Sequence, residues 1–492
     1  MKLQLSFLFG HIILIVLAFN SHFAQAQKSY QPLDTESSDF SELKNSLFEN
    51  LNNDVASLQG PYKEEIAAVY QQRYDDLIYQ IDEGHFIADA NFTSYFNEIF
   101  DKIIQANPDL QNLNPRLLIS RYTWPNASCL GEGTLLLNIG LIRKLEHPDQ
   151  LAFVLCHELA HYSLDHVNIA IAESIKALNT RETQKKLKKA QKRKFRNTTA
   201  VAEVLKEIAY KGRRHSRKHE KAADSLALSY FYHTKYDLNQ AIRTLEILDS
   251  TDVENPVNGI SLEQVFQSSE YPFNHQWLAL EESLSFGVGS TPNSVYHLHE
   301  DSLKTHPDCQ KRIDWLQQEK NKQIYTDNEY SVENPEDEHF DKLLAVCELE
   351  IISSEYKFQQ YGRCLYLTLN ALQKYPNQAY LHSMIGKCLY QIYQAQEKHV
   401  LASHVDLPSP KYTEEYNKVL NFIHHLRLSE LAQVGYYYMK KHSRNHQENE
   451  DFLHAQILSC ELMHKTDEIS LLREKYQSLF INGKYTSEIN QY

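Results

Sequence analysis

The sequence predicts an α+β domain, mostly helical around a small β-sheet, followed by an all-α domain of helical repeats. Three observations carry that expectation. Apolar residues recur at helical spacing through Pro61–Glu83 and again through Phe92–Ala106. Two short apolar runs, Leu117–Tyr122 and Thr134–Asn138, sit among glycine, proline and asparagine turn residues and read as strands. From about Asp341 onward the pattern is helical and rich in tyrosine.

Composition narrows the class. The chain has 492 residues, a hydrophobic fraction of 42%, a net charge of -14 and a pI of about 5.9. That length suits about three domains. The acidic balance argues against nucleic acid as a partner, since such binders carry a basic surface.

The N-terminus reads as an export signal. Lys2 supplies a positive start, an apolar stretch runs from about Phe7 to Phe19, and Ala24-Gln25-Ala26 is a small-x-small cleavage site. The apolar stretch is short for a membrane span, which needs roughly 20 residues. Residues 1–26 are therefore expected to be removed, leaving Gln27 as the mature start of a periplasmic or secreted protein. The seven cysteines, at 129, 156, 309, 347, 364, 388 and 460, are odd in number and include no C-x-x-C pair. They read as small buried apolar residues rather than a disulfide scaffold, Cys156 included.

The segment 27–58 is polar, and the helices of 61–106 end at Asn107-Pro108. Trp124-Pro125-Asn126 makes a turn after the first strand. Gly131 and Gly133 flank the turn into the second. A strand after those glycines weighs against a phosphate-binding loop. Leu141–Leu145 begins a helix, His147-Pro148-Asp149 breaks it, and a new helix starts at Gln150. A long helical stretch is expected from His166 to about Lys211. It contains the basic run Lys185–Arg196, read as a solvated helix face or as a patch for peripheral contact with anionic lipid or an acidic partner. In the C-terminal region, Ala371, Leu372, Pro376, Gly386 and Tyr390 fall near the places of a tetratricopeptide-type helix pair around Pro376-Asn377, with a weaker echo at Leu428–Met463; an irregular helical bundle is the alternative reading of the same pattern.

Chemistry concentrates in "HELAHYSLDH", His157 to His166. Residues four apart on a helix share a face, so His157 and His161 can aim ring nitrogens at one metal ion. Glu158, rotated by one residue, borders that site as a general base for water rather than a ligand. In a chain with 24 histidines the bare motif arises by chance with a probability on the order of 0.1, so context must support it. Leu151, Phe153, Val154, Leu155, Leu159 and Ala160 make this helix a buried one, where polar groups need partners. Catalytic zinc takes three protein ligands and leaves a position open. The best third ligand is Glu220 in "HSRKHEKAADSLALSYF", a helix by its alanine and leucine spacing. Asp224, one turn on, is placed to orient a ligand imidazole. Glu203 and Glu207 are rivals on spacing alone.

These segments together resemble the M48 family of zinc metallopeptidases. "NASCLGEGTLLLNIGLIRKLEHPDQLAFVLCHELAHYSLDH" is similar to the family's strand, Gly-Leu helix and active-site helix in order. "SRKHEKAAD" is similar to its S-R-x-x-E-x-x-A-D motif, at Ser216, Arg217, Glu220, Ala223 and Asp224. "THPDCQKRI" resembles a later motif, at His306, Pro307, Arg312 and Ile313. The resemblance covers roughly residues 85–315 and selects Glu220 over its rivals.

It implies a zincin-like protease domain over 81–325, preceded by a helical segment 27–80 and followed by the repeat domain 326–492. It also implies one Zn2+ on His157, His161 and Glu220, with Glu158 catalytic, Asp224 behind the ligands and His306 near the metal. His166 is common in the family and is assigned only to packing. The edge strand that receives extended substrate is expected near Thr134–Asn138. The layout is most similar to exported members with helical repeats that tend outer-membrane assembly. That predicts an envelope endopeptidase acting on misassembled or unfolded proteins, with the assembly machinery as a partner. The rivals are a periplasmic chaperone or adaptor with little proteolysis, and a dedicated processor of one substrate.

Overall fold

The computed structural model describes residues 30–33, 40–192, 217–250, 259, 261–278, 309–323 and 337–489. The signal-like segment 1–26, Glu203, Glu207, Ser216, His306, Pro307 and the end of the basic run, 193–196, lie outside the described residues. The chain divides into two compact units. One joins 33–253 with 293–351, and the other joins 1–32, 254–292 and 352–492. No helix among the described residues is long and apolar enough to cross a membrane.

The first unit holds the sheet. After helices α1 (Phe40–Ser57), α2 (Lys63–Asp82) and α3 (Ala90–Ala106) come strands β1 (Arg116–Ser120), β2 (Ala127–Cys129) and β3 (Thr134–Asn138). Their order is β1-β3-β2, with β1 parallel and β2 antiparallel to β3. The strand β3, expected as the edge, is therefore the middle one. β2, too short for its pattern to show, takes the edge. Its pairing is regular: Leu130 N–H donates to Thr134 O (2.8 Å) and Asn138 N–H to Asn126 O (3.1 Å). Ser128 pairs with Leu136 between them. In an antiparallel ladder every second residue bonds to the partner, so the backbone groups of Ala127 and Cys129 point away from β3.

Alternation sorts the sheet's side chains. Leu117, Ile119, Leu135 and Leu137 enter the main core, while Leu118, Leu130 and Leu136 pack with Leu47, Leu77 and Ile81 of α1 and α2. The main-core face rests on α3 and on α4 (Pro148–Ser163), thirteen of whose residues are buried. Pro148 stands at the first turn of α4, where its missing N–H costs nothing, and the His147 ring accepts from Asp149 N–H. The His-Pro pair thus starts this helix two residues earlier than expected. A single turn, Ile139–Ile142, precedes it.

The long helix expected from His166 is broken. α5 (His166–Leu178) ends at Asn179, and Thr180 caps α6 (Arg181–Gln191) by accepting from Thr183 N–H. A local threonine cap stops helical propagation that charge and alanine content alone would favour. The lysines of α6 form its exposed face, with Lys186 3.1 Å from Glu182, and Ala190 is buried. The unit is completed by α7 (217–234), α8 (Leu238–Asp249), α9 (Cys309–Gln323) and the first part of α10 (Glu338–Lys357), which adds Phe340, Leu343 and Cys347 to the main core.

Among its described residues the second unit has helices and no strands. α11 (Tyr361–Lys374) and α12 (Ala379–Glu397) form the pair expected around Pro376-Asn377, followed by α13 (Glu414–His425). A second pair, α14 (Leu428–His446) and α15 (Glu450–Leu462), spans the weaker echo, and α16 (Thr466–Leu479) packs on α15. α12 lies among α11, α14 and α15. The segment 261–278 packs here through rings: Phe266 stacks on Phe422 at 5.1 Å, and Trp277 donates its indole N–H to Glu430 (3.1 Å). All seven cysteines of the chain are buried and none is in a disulfide.

Two glycines shape the entry to α4. Gly133 has φ +96°, which closes the tight β2–β3 turn. Gly140 sits against the loop between β1 and β2: a Cβ there would lie 2.1 Å from the Thr123 carbonyl oxygen. Gly140→Ala is therefore expected to lower stability by about 1–3 kcal/mol, read from denaturant midpoints. An unchanged midpoint would mean that the 121–126 loop retreats without cost.

Candidate metal centre

α4 and α7 build the site. Ala223 and Ala227 are fully buried and let α7 lie close along α4, while Phe153 meets Phe231 edge-on at 5.6 Å. Tyr230 donates its hydroxyl to Ser163 Oγ (2.9 Å), and Asp149 at the start of α4 accepts from Asp237 N–H (2.9 Å) at the start of α8. These contacts fix the register in which Glu220 and Asp224 face His157 and His161.

The donors converge. His157 Nε2 and His161 Nε2 lie 3.1 Å apart, Glu220 Oε2 is 3.5 Å from His157 Nε2, and Glu220 Oε1 is 3.4 Å from His161 Nε2. Among the described residues this is the one group of three or more His, Cys, Asp or Glu residues whose ligand atoms come together, all within 4.8 Å. The fit to a metal can be tested on these distances. Tetrahedral zinc with bonds of about 2.0–2.1 Å needs ligand atoms roughly 3.3–3.4 Å apart, which is the spacing found. The donor chemistry agrees: two imidazole nitrogens and one carboxylate in a buried place are a zinc set.

The surroundings orient the ligands. His157 Nδ1 faces Asp224 Oδ1 at 3.1 Å. Arg312 of α9 grips that carboxylate with two bonds, Nε to Oδ2 (2.8 Å) and Nη2 to Oδ1 (2.7 Å). Its Nη1 lies 3.8 Å from Glu220. All of these groups are buried. On the other ligand, His161 Nδ1 lies 3.1 Å from His166 Nδ1, and the His166 ring stacks on His219 at 4.2 Å and 10°.

Electrostatics follow the geometry. Burial opposes a charge on His157, but the hydrogen bonds to Asp224 and Glu220 prevail and lift its pKa to about 9. A proton is thus held where several lone pairs meet, the place a cation would suit. Burial lowers the pKa of His161, against the pull of Glu220. Burial also brings His166 down to about 4, with His161 and His219 adding to the effect. Asp224 resists burial through His157 and Arg312 and falls to about 2. Glu158 is buried on α4 beside this cluster, within electrostatic reach of His161 and of Cys129 on β2, whose thiol is pushed up first by burial and then by Glu158.

The structure therefore brings His157, Glu158, His161, Glu220 and Asp224 together. The sequence reading gave no role to Arg312, although it named the residue within a motif. It left His166 to packing and passed over His219. A signal for Arg312 existed: two carboxylates one turn apart on a buried helix require a cation. Arg312→Met should leave Asp224 buried with His157 in place of two partners and cost on the order of 3 kcal/mol. The check is chemical denaturation of the metal-free protein, and an unaltered midpoint would show that Asp224 does not need the guanidinium.

The comparisons with known proteins agree with this geometry. No curated protein matches the chain. Residues 93–320, which run from α3 into α9 and include every residue of this centre, match the family model of Peptidase family M48, whose members are zinc-dependent peptidases. The match and the buried His157–His161–Glu220 cluster together point to a metallopeptidase.

Proposed function

We propose that the protein is a zinc-dependent endopeptidase of the cell envelope that hydrolyses misassembled or unfolded envelope proteins. The observation that carries the reading is the convergence of two imidazoles and a carboxylate at 3.1–3.5 Å, with Glu158 beside them on the same helix. His157, His161 and Glu220 would hold the ion. Bound zinc supplies a Lewis acid that polarises the scissile carbonyl and acidifies water. Glu158 takes the proton of the attacking water on its carboxylate and delivers it to the leaving amine. Asp224 keeps the proton of His157 on Nδ1, so that Nε2 offers its lone pair.

β2 suits the substrate. Its outward backbone groups at Ala127 and Cys129 can take an extended chain as a fourth strand, while the side chains of these two residues enter the core shared with α4. An extended strand is what an unfolded segment offers and a folded domain does not. The envelope location rests on the signal-like sequence of residues 1–26, and the choice of clients on the paired helices after residue 360.

The test is zinc content and cleavage of an unfolded protein by purified variants. Glu158→Gln should keep one zinc and lose about 10²–10⁴-fold in kcat. Glu220→Ala should lose the zinc, while Glu203→Ala and Glu207→Ala keep it. Wild-type protein that binds clients but neither holds zinc nor cleaves them would replace this reading with that of a chaperone. Change in a single envelope protein on deletion would make it a dedicated processor.

A further inference from the structure

His161 has two ring nitrogens with different neighbours. Nε2 faces His157 Nε2 at 3.1 Å and Glu220 Oε1 at 3.4 Å. Nδ1 meets His166 Nδ1 at 3.1 Å. Two ring nitrogens at that distance share one proton, so one donates and the other accepts. A neutral imidazole that gives the Nε2 lone pair to a metal carries its proton on Nδ1. His161 is then the donor, and His166 must present a bare Nδ1 and keep its own proton on Nε2.

The His166 ring is built to stay there. The residue is buried and opens α5, directly after Asp165, which turns the chain with φ +52°. The His219 ring lies flat against it at 4.2 Å and 10°. His219 immediately precedes Glu220, so the helix that carries the carboxylate also holds this ring in place. His157 is treated differently: its Nδ1 faces a carboxylate that Arg312 neutralises.

We infer that His166 is a positioning residue, a neutral Nε2–H imidazole that accepts from His161 Nδ1–H and fixes the tautomer in which His161 ligates, with His219 clamping its ring. A neutral acceptor orients the second ligand without burying a fourth carboxylate beside Glu158, Glu220 and Asp224. The inference rests on the metallopeptidase reading above.

Competition with a chromophoric chelator measures zinc affinity in the full-length protein. His166→Phe keeps a ring but removes the acceptor, and should weaken zinc binding about 10–100-fold, whereas His166→Asn, whose Oδ1 can stand near the place of Nδ1, should stay within about threefold of wild type. Equal affinity in wild type and His166→Phe overturns the inference, and so does an Asn variant that falls as far as Phe. A second measurement needs no variant. In zinc-loaded wild type labelled with 15N-histidine, the His166 ring should show a protonated Nε2 and a bare Nδ1. A protonated Nδ1 overturns the inference whatever the variants do. If wild type takes up no zinc at all, the metallopeptidase reading fails and takes this inference with it; unaffected zinc binding by His166→Phe defeats this inference alone.

Discussion

The buried contact between Arg312 and Asp224 supports the rest of the centre. Glu220 and Asp224 stand one turn apart on α7, both inside the protein, beside His157 and His161. Two carboxylates out of water repel each other and lose their hydration. Arg312 answers with two short bonds to Asp224 and a longer approach to Glu220. With its charge compensated, Asp224 is free to act as a fixed acceptor for His157, and the ligand atoms of three residues can lie close without collapse into unrelated ion pairs. α9 reaches this place because Ile313 and Leu316, flanking Arg312 on the helix, are buried in the same core as α4 and α8.

Packing holds that local chemistry in one geometry. Small residues, Ala223 and Ala227, set how near α7 comes to α4. Aromatic and polar contacts from Phe231, Tyr230 and Asp237 then set its register. On the other side of α4 the sheet offers β2 as an outer strand, because β1 and β3 pair in parallel and leave the hairpin arm outside. The His157–His161–Glu220 cluster and strand β2 thus both pack on α4. Only a chain with free backbone groups can add to a strand edge.

The helical unit shows a different balance. Its interior holds Lys387 on Asp451, with Tyr485 bonded to both, so charge is buried there as well, but in a cation–anion pair. Such a network ties α12 to α15 and to the segment after α16. It brings together no set of metal ligands among the described residues. The contrast with the first unit is physical: three lone-pair donors facing one point invite a cation, whereas a lysine amid acceptors already is one.

The sequence alone marked several of the helices, two of the three strands and the helix face that carries His157 and His161. Helical spacing marked α2, α3 and the α11–α12 pair, and short apolar runs between turn residues marked β1 and β3. The four-residue step from His157 to His161 put two imidazoles on one face, since that relation is local to a helix and survives any tertiary context. What only the tertiary structure decided were relations between segments distant in the chain. β3 is central because two flanking strands chose it, and no pattern within Thr134–Asn138 records its neighbours. The break at Asn179 was hidden because a single threonine cap outweighs a favourable composition. Arg312 lies 155 residues from His157, and its role needs the approach of α9 to α7. His166 looked like a packing residue because its partner nitrogen on His161 comes into reach only when the chain turns at Asp165. Local periodicity fixes faces, while the partner each face meets is set by the packing of the whole core.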